Sequence, residues 1–136
     1  MSFFQHPQAL VESTQIGDGT RIWAFAHVME GAVLGSDCNV GDGAFIESGV
    51  VCGDRVTIKN HVLLWDGVTV ADDVFIGPNV VFTNDPLPRP FNMVPPEEWL
   101  DTHVGRGAAI GANSTIVCGI RIGTHALVGA GSVVTR

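Results

Sequence analysis

One periodicity constrains this chain more than any other feature: beginning at Leu10, every sixth residue is apolar. The series runs Leu10, Ile16, Ile22, Val28, Leu34, Val40, Ile46, Cys52, Ile58, Leu64, Val70, Ile76, Phe82, then breaks and resumes as Val104, Ile110, Ile116, Ile122, Val128, Val134. The residue after the aliphatic is often glycine, as at Gly17, Gly35, Gly41, Gly53 and Gly77. The residue two before it is small or β-branched, as at Thr20, Ala26, Ala32, Cys38, Ala44 and Val56. An α-helix, with a period of about 3.6, has no reason to repeat every six residues. A short strand followed by a tight turn does. Residues i and i−2 then share one pleat and point inward, and Gly, Asp or Asn supplies the turn. Three such strands close a triangular coil of 18 residues, and stacked coils share a continuous core. The repeat predicts an all-β fold, a parallel β-helix spanning 1–136 as a single domain.

The phase breaks once. Phe82 and Val104 are 22 residues apart, not a multiple of six, so a long loop at about 83–103 leaves the coil. It carries five prolines, which give an excursion a stiff, defined shape. Residues 18 apart stack, so the three faces can be compared column by column. Two faces show mixed or small outward residues. On the third, one outward column reads His27, Phe45, Leu63, Val81 and the next reads Met29, Glu47, Trp65, Thr83. An apolar column of this kind predicts a subunit interface, with three-fold packing expected. Beside it a polar column, Glu30, Ser48, Asp66, Asn84, runs into the proline-rich loop. Apolar face, polar column and loop converge at Asn84, where a binding site is expected.

Composition narrows the function classes. Apolar residues make up 46% and charged residues 15%, an apolar balance that favours self-association. The net charge of −7 leaves no basic footprint for nucleic acid. The N-terminus lacks the basic and apolar regions of a signal peptide, and no apolar run approaches the ~20 residues of a membrane span. Cys38, Cys52 and Cys118 form no C-x-x-C pair and read as reduced thiols. A cytoplasmic location is expected.

The hexads resemble the hexapeptide-repeat acyltransferase superfamily, whose coil is left-handed, an exception to the right-handed crossover rule. The run KNHVLLWDGVTVADDVFIGPNVVFTNDPLPRP, residues 59–90, with IGANSTIVCGIRIG, residues 110–123, is similar to bacterial N-acetyltransferases that acetylate the amino group of a nucleotide-linked amino sugar. The nearest type acts on a 3-amino group, as in UDP-2-acetamido-3-amino-2,3-dideoxyglucuronate. The resemblance implies acetyl-CoA as co-substrate, a nucleotide sugar (UDP- or dTDP-linked) destined for lipopolysaccharide or similar polymers, a homotrimer, and no metal. Relatives continue past GAGSVVTR into a short C-terminal cap, so this chain, ending at Arg136, is expected to lack that cap.

In this family the F-T-N segment supplies an active-site asparagine, which falls here on Asn84. An amide cannot act as a base, but it can hold an attacking amine or donate to a developing oxyanion. Substrate contacts are expected from Asp66, Thr83, Arg89, as a bidentate partner for diphosphate or carboxylate, and His27. Gly111, Ala112, Gly129 and Ala130 are expected to let backbone amides approach acetyl-CoA. Each also has a plain structural reading: Asn84 and Asp66 as turn formers, Arg89 as a solvated loop cation, His27 as a packed interface residue, the glycines as turns. Three other functions stay open: an acetyltransferase with another small acceptor, a γ-carbonic-anhydrase-like metal hydratase, and a non-catalytic trimeric scaffold. The hydratase needs three converging histidines. His6, His27, His61, His103 and His125 include no pair 18 apart and no close H-x-x-x-x-H pair.

Overall fold

A computed structural model describes residues 2–136 as a parallel β-helix of about seven coils. Twenty strands of two or three residues stack into three parallel sheets of seven, seven and six strands. The first face begins with Phe4–Gln5 and continues through Arg21–Ile22 and Asn39–Val40. The second begins with Leu10–Val11 and continues through His27–Val28, Phe45–Ile46, Leu63–Leu64, Val81–Phe82, Thr115–Ile116 and Val133–Val134. The third begins with Gln15–Ile16 and continues through Val33–Leu34 to Arg121–Ile122. Each strand bonds to the strand one coil away, so Arg21, Asn39, Thr57 and Phe75 form a vertical column. The architecture is consistent with the left-handed coil of the hexapeptide fold.

The core follows the hexad. Ile22, Val28, Val40, Ile46, Ile58, Leu64, Ile76, Ile110 and Ile116 are fully buried, each worth roughly 1.5–3 kcal/mol of apolar transfer. The i−2 positions fill the gaps between them with Ala26, Ala32, Cys38, Ala44, Val56, Val62 and Val74. Hydroxyls at these positions bond vertically. Thr20 Oγ1 donates to Gly35 O at 2.8 Å and accepts from Cys38 N at 3.0 Å, and Ser114 Oγ donates to Gly129 O at 3.0 Å. Thr102 is the exception: its hydroxyl is buried and has no partner.

Two expectations are corrected. Leu10 is not the first inward residue. It pairs with His27, points outward and is 53% exposed, while Val11 pairs with Val28. The first coil is one residue short, so the inward series steps by five from Val11 to Ile16. The loop is also shorter than 83–103. Thr102–Val104 is a strand registered on Val68–Val70, with Thr102 turned inward over Val68, so the excursion ends at Asp101.

The corners divide into two kinds. Between the third and first faces, the turn residues Gly19, Asp37, Arg55, Asp73, Gly107 and His125 have φ between 55° and 77°. Between the first and second faces, Phe25, Gly43, His61, Asn79, Asn113 and Gly131 lie between 59° and 74°. Side chains tie successive coils at these corners: Ser36 N donates to Asp54 Oδ1 at 2.9 Å, Asp54 N to Asp72 Oδ1 at 2.8 Å, and Asp42 N to Asn60 Oδ1 at 3.2 Å. Between the second and third faces the turns are Gly31, Gly49, Gly67 and Gly119, with φ from 83° to 99°. The long loop leaves from this corner.

The second face carries the expected outward apolar column. Leu63 and Val81 are 37% and 49% exposed, and His27 and Phe45 are half-buried. Apolar exposure is not confined to it, since Phe4 and Trp23 pair on the first face with ring centroids 5.1 Å apart.

Candidate active site

The loop leaves the coil through three hydrogen bonds at three consecutive residues. The Phe82 carbonyl accepts from the Trp65 indole Nε1–H at 2.8 Å, from the coil below. The Thr83 hydroxyl accepts from the Cys118 backbone N–H at 2.9 Å, from the coil above. The Asn84 carbonyl accepts from the Leu100 N–H at 3.0 Å, across the base of the loop. Asn84 is thus pinned through its backbone. Its side-chain amide, half-buried, makes no hydrogen bond within the chain among the described residues. An amide held this way can offer both N–H donors and its oxygen to a ligand.

Two segments of the chain, residues 13–48 and 101–136, match the family model described as bacterial transferase hexapeptide (six repeats). The chain belongs to this hexapeptide transferase family. It is 61% identical over 133 residues to the dTDP-3-amino-3,6-dideoxy-alpha-D-galactopyranose 3-N-acetyltransferase of Aneurinibacillus thermoaerophilus, covering 98% of this chain and 68% of that enzyme. Among solved structures it resembles the acetyltransferase domain of PglB from Neisseria gonorrhoeae (24% identity, TM-score 0.71, 90% of this chain and 54% of that one). It also resembles PerB from Caulobacter crescentus, solved with CoA and GDP-perosamine (19% identity, TM-score 0.53, 90% and 49%). These structural likenesses concern the fold. The chain spans about half the length of either structure.

The other candidate residues of this hexapeptide protein are placed unevenly. Asp66 lies one coil below Asn84. Glu47 Oε1 accepts its N–H at 2.8 Å, and its carboxylate leans over Gly49 in the next coil down. It therefore points away from Asn84. Thr83 sits beside Asn84, with its oxygen engaged by Cys118. Arg89 lies further out in the loop, where Asp85, Pro88, Arg89, Pro90 and Met93 line an open concavity of about 330 Å³. Among the described residues its guanidinium reaches only the Pro88 carbonyl, at 3.3 Å. His27 is three coils below the loop, with Nε2 2.7 Å from Glu12 Oε1 and its ring edge-on to Phe45 at 5.3 Å.

Gly111, Ala112, Gly129 and Ala130 are on successive coils at the corner entering the second face, whereas Asn84 is at the corner leaving it. A Cβ on Gly111 would stand 2.5 Å from Ala130 N, so close coil stacking already explains that glycine. Gly129 and Ala130 are exposed. One chain does not bring this group to Asn84.

Among the described residues no three His, Cys, Asp or Glu side chains converge as a metal set, and no helix is long and apolar enough to cross a membrane. Burial pushes the Cys38 and Cys52 thiols up, leaving them as core fillers rather than nucleophiles. Sequence reasoning missed the Leu100 and Cys118 backbone donors. Nothing in the repeat shows which residues a loop excursion will bring back to its base.

Proposed function

We propose that this chain is an acetyl-CoA-dependent N-acetyltransferase acting on the 3-amino group of a nucleotide-linked sugar, working as a homotrimer in the cytoplasm on precursors of surface polysaccharide. The observation that carries this reading is the pinned amide of Asn84, without an internal partner, in a chain so similar to an enzyme of that name. By that likeness a dTDP-linked 3-amino-3,6-dideoxyhexose is the first acceptor to test. Packing second faces around a three-fold axis covers Leu63, Val81 and the neighbouring apolar residues. It also turns the Gly111–Ala130 corner of one copy toward the Asn84 corner of the next.

The chemistry fits a site without a strong base. The neutral sugar amine attacks the thioester carbonyl, forming a C–N bond, while Asn84 holds the amine or donates to the oxyanion. The C–S bond then breaks, and the ammonium proton passes to the departing thiolate, whose conjugate acid has a pKa of roughly 8.5.

Thiol release from acetyl-CoA, measured with the dTDP- and UDP-linked 3-amino sugars, tests the reading. Turnover with the dTDP sugar is expected. Absence of turnover with either would favour the non-catalytic scaffold. A trimer mass in solution is the matching expectation for assembly.

A further inference from the structure

The strands beneath Asn84 are paired differently from the rest of their sheet. Along the second face, neighbouring strands register at two residues: Leu63↔Phe45 and Leu64↔Ile46 below, Val81↔Thr115 and Phe82↔Ile116 above. Between Leu63–Leu64 and Val81–Phe82 only Leu63↔Val81 remains. The ladder loosens at the level where the loop departs. There the Phe82 carbonyl takes its bond from a side chain, the Trp65 indole. The indole is fixed by its own surroundings, half-buried against the core and 5.6 Å from the Phe45 ring at 57°. Phe82 itself is 1% exposed and cannot swing to meet a moving partner.

We propose that Trp65 is a positioning residue for Asn84: its indole N–H replaces the missing ladder contact and sets the direction in which Phe82–Thr83–Asn84 leaves the coil. The proposal rests on the acetyl-transfer reading above. The Thr83 and Asn84 bonds hold the next two residues from above and across, while the Trp65 indole holds the start of the segment, the Phe82 carbonyl, from below. Without it the Phe82 peptide can rotate, and the amide of Asn84 moves with it. A displacement of about 1 Å at a reacting group is enough to cost up to 100-fold in rate.

The tryptophan N–H occupies the same place in its five-membered ring as Nε2–H in histidine. Trp65→Phe therefore keeps an apolar ring and loses the donor, while Trp65→His loses much of the ring and keeps the donor. Positioning predicts that kcat falls about tenfold in Trp65→Phe with KM within about twofold, and that Trp65→His retains more kcat despite the poorer packing. A packing role predicts the reverse order, and finding it would overturn the proposal. A rise in KM at constant kcat would also overturn it, by making Trp65 a substrate contact.

Amide hydrogen exchange separates this outcome from failure of the acetyltransferase reading. The Leu100 N–H, bonded to the Asn84 carbonyl, should exchange about tenfold faster in Trp65→Phe than in Trp65→His. Equal rates would reject the proposal whatever the wild-type turnover. Wild-type turnover with nucleotide amino sugars scores the reading alone.

Discussion

The two kinds of corner in this helix solve the same bend with different backbone. At the corners flanking the first face the turn residue has φ near 60°, inside the left-handed region that Asp, Asn and His tolerate. Those corners therefore accept polar side chains at the turn residue itself, so that Arg55 bonds Asp73 one coil above, and the preceding residues Asp54, Asp72 and Asn60 add ties to backbone N–H groups. At the corner between the second and third faces φ reaches 83° to 99°, and every such turn is glycine. Among the turn residues there, Ser48 ties coils through its hydroxyl, which donates to the Glu30 carbonyl. Further bonds come from Glu47, Trp65 and Thr83, residues that flank the turn. Two corners are built for stacking. The third is left open enough for a loop to leave and an amide to stand free.

The largest expected effect tests that division directly. Asn84→Ala should lower kcat on the order of 100-fold or more, the usual cost of removing one preorganised donor. Its melting temperature should match wild type, because the amide has no partner among the described residues. Steady-state thiol release and a thermal melt check the two halves. A large stability loss with intact kcat would make Asn84 a loop anchor and dissolve the contrast between corners.

The corner backbones themselves can be broken selectively. Gly49 has φ of 90°, and a Cβ there would stand 2.0 Å from Asp66 Oδ1. Gly49→Ala should cost about 2 kcal/mol, from backbone strain and displacement of that carboxylate. His61, with φ of 64°, is the control from the other kind of corner. His61→Gly relieves left-handed strain and adds unfolded-state entropy, so its net change should stay within about 1 kcal/mol. Urea denaturation of both variants checks the pair.

Much of this architecture is legible in the amino-acid sequence. Inward aliphatics six apart dictate the coil, and the columns spaced by 18 place Asn84 beside Asp66 and the second face. What escapes the pattern is local. Leu10 and Val11 are both apolar, so periodicity does not decide which faces inward across a five-residue step. Thr102 resembles loop because its neighbours are polar, yet it occupies an i−2 core position over Val68. Asp66 stands in its expected column, but a column does not say whether a carboxylate leans up or down. The role of Trp65 depends on a ladder contact being absent, which no side-chain pattern records.

Thr102 offers a smaller test on the corner that carries the loop. Its hydroxyl is buried without a partner in a column that also holds Ala32, Val50, Val68 and Ile120. Thr102→Val keeps the shape and removes the orphaned group, so it should be neutral or stabilising by about 1 kcal/mol. A loss of that size in chemical denaturation would mean the hydroxyl holds something at the base of the loop.

The smallest effect belongs to the stacking corners. Arg55 Nε donates to Asp73 Oδ1 at 2.7 Å one coil above, with Arg106 at 3.6 Å from Oδ2. Hydrogen bonding from Arg55 is the main reason that the Asp73 carboxyl is held below its ordinary range. A carboxylate with a lowered folded-state pKa contributes stability above its unfolded value and loses it as pH falls through the folded value. Both partners are well exposed, so the contribution is screened and small. Asp73→Asn should therefore melt slightly below wild type at neutral pH, and the gap should close on acidification and in high salt. If the gap persisted unchanged in acid, the tie between these coils would come from the turn geometry of residue 73 and not from its charge.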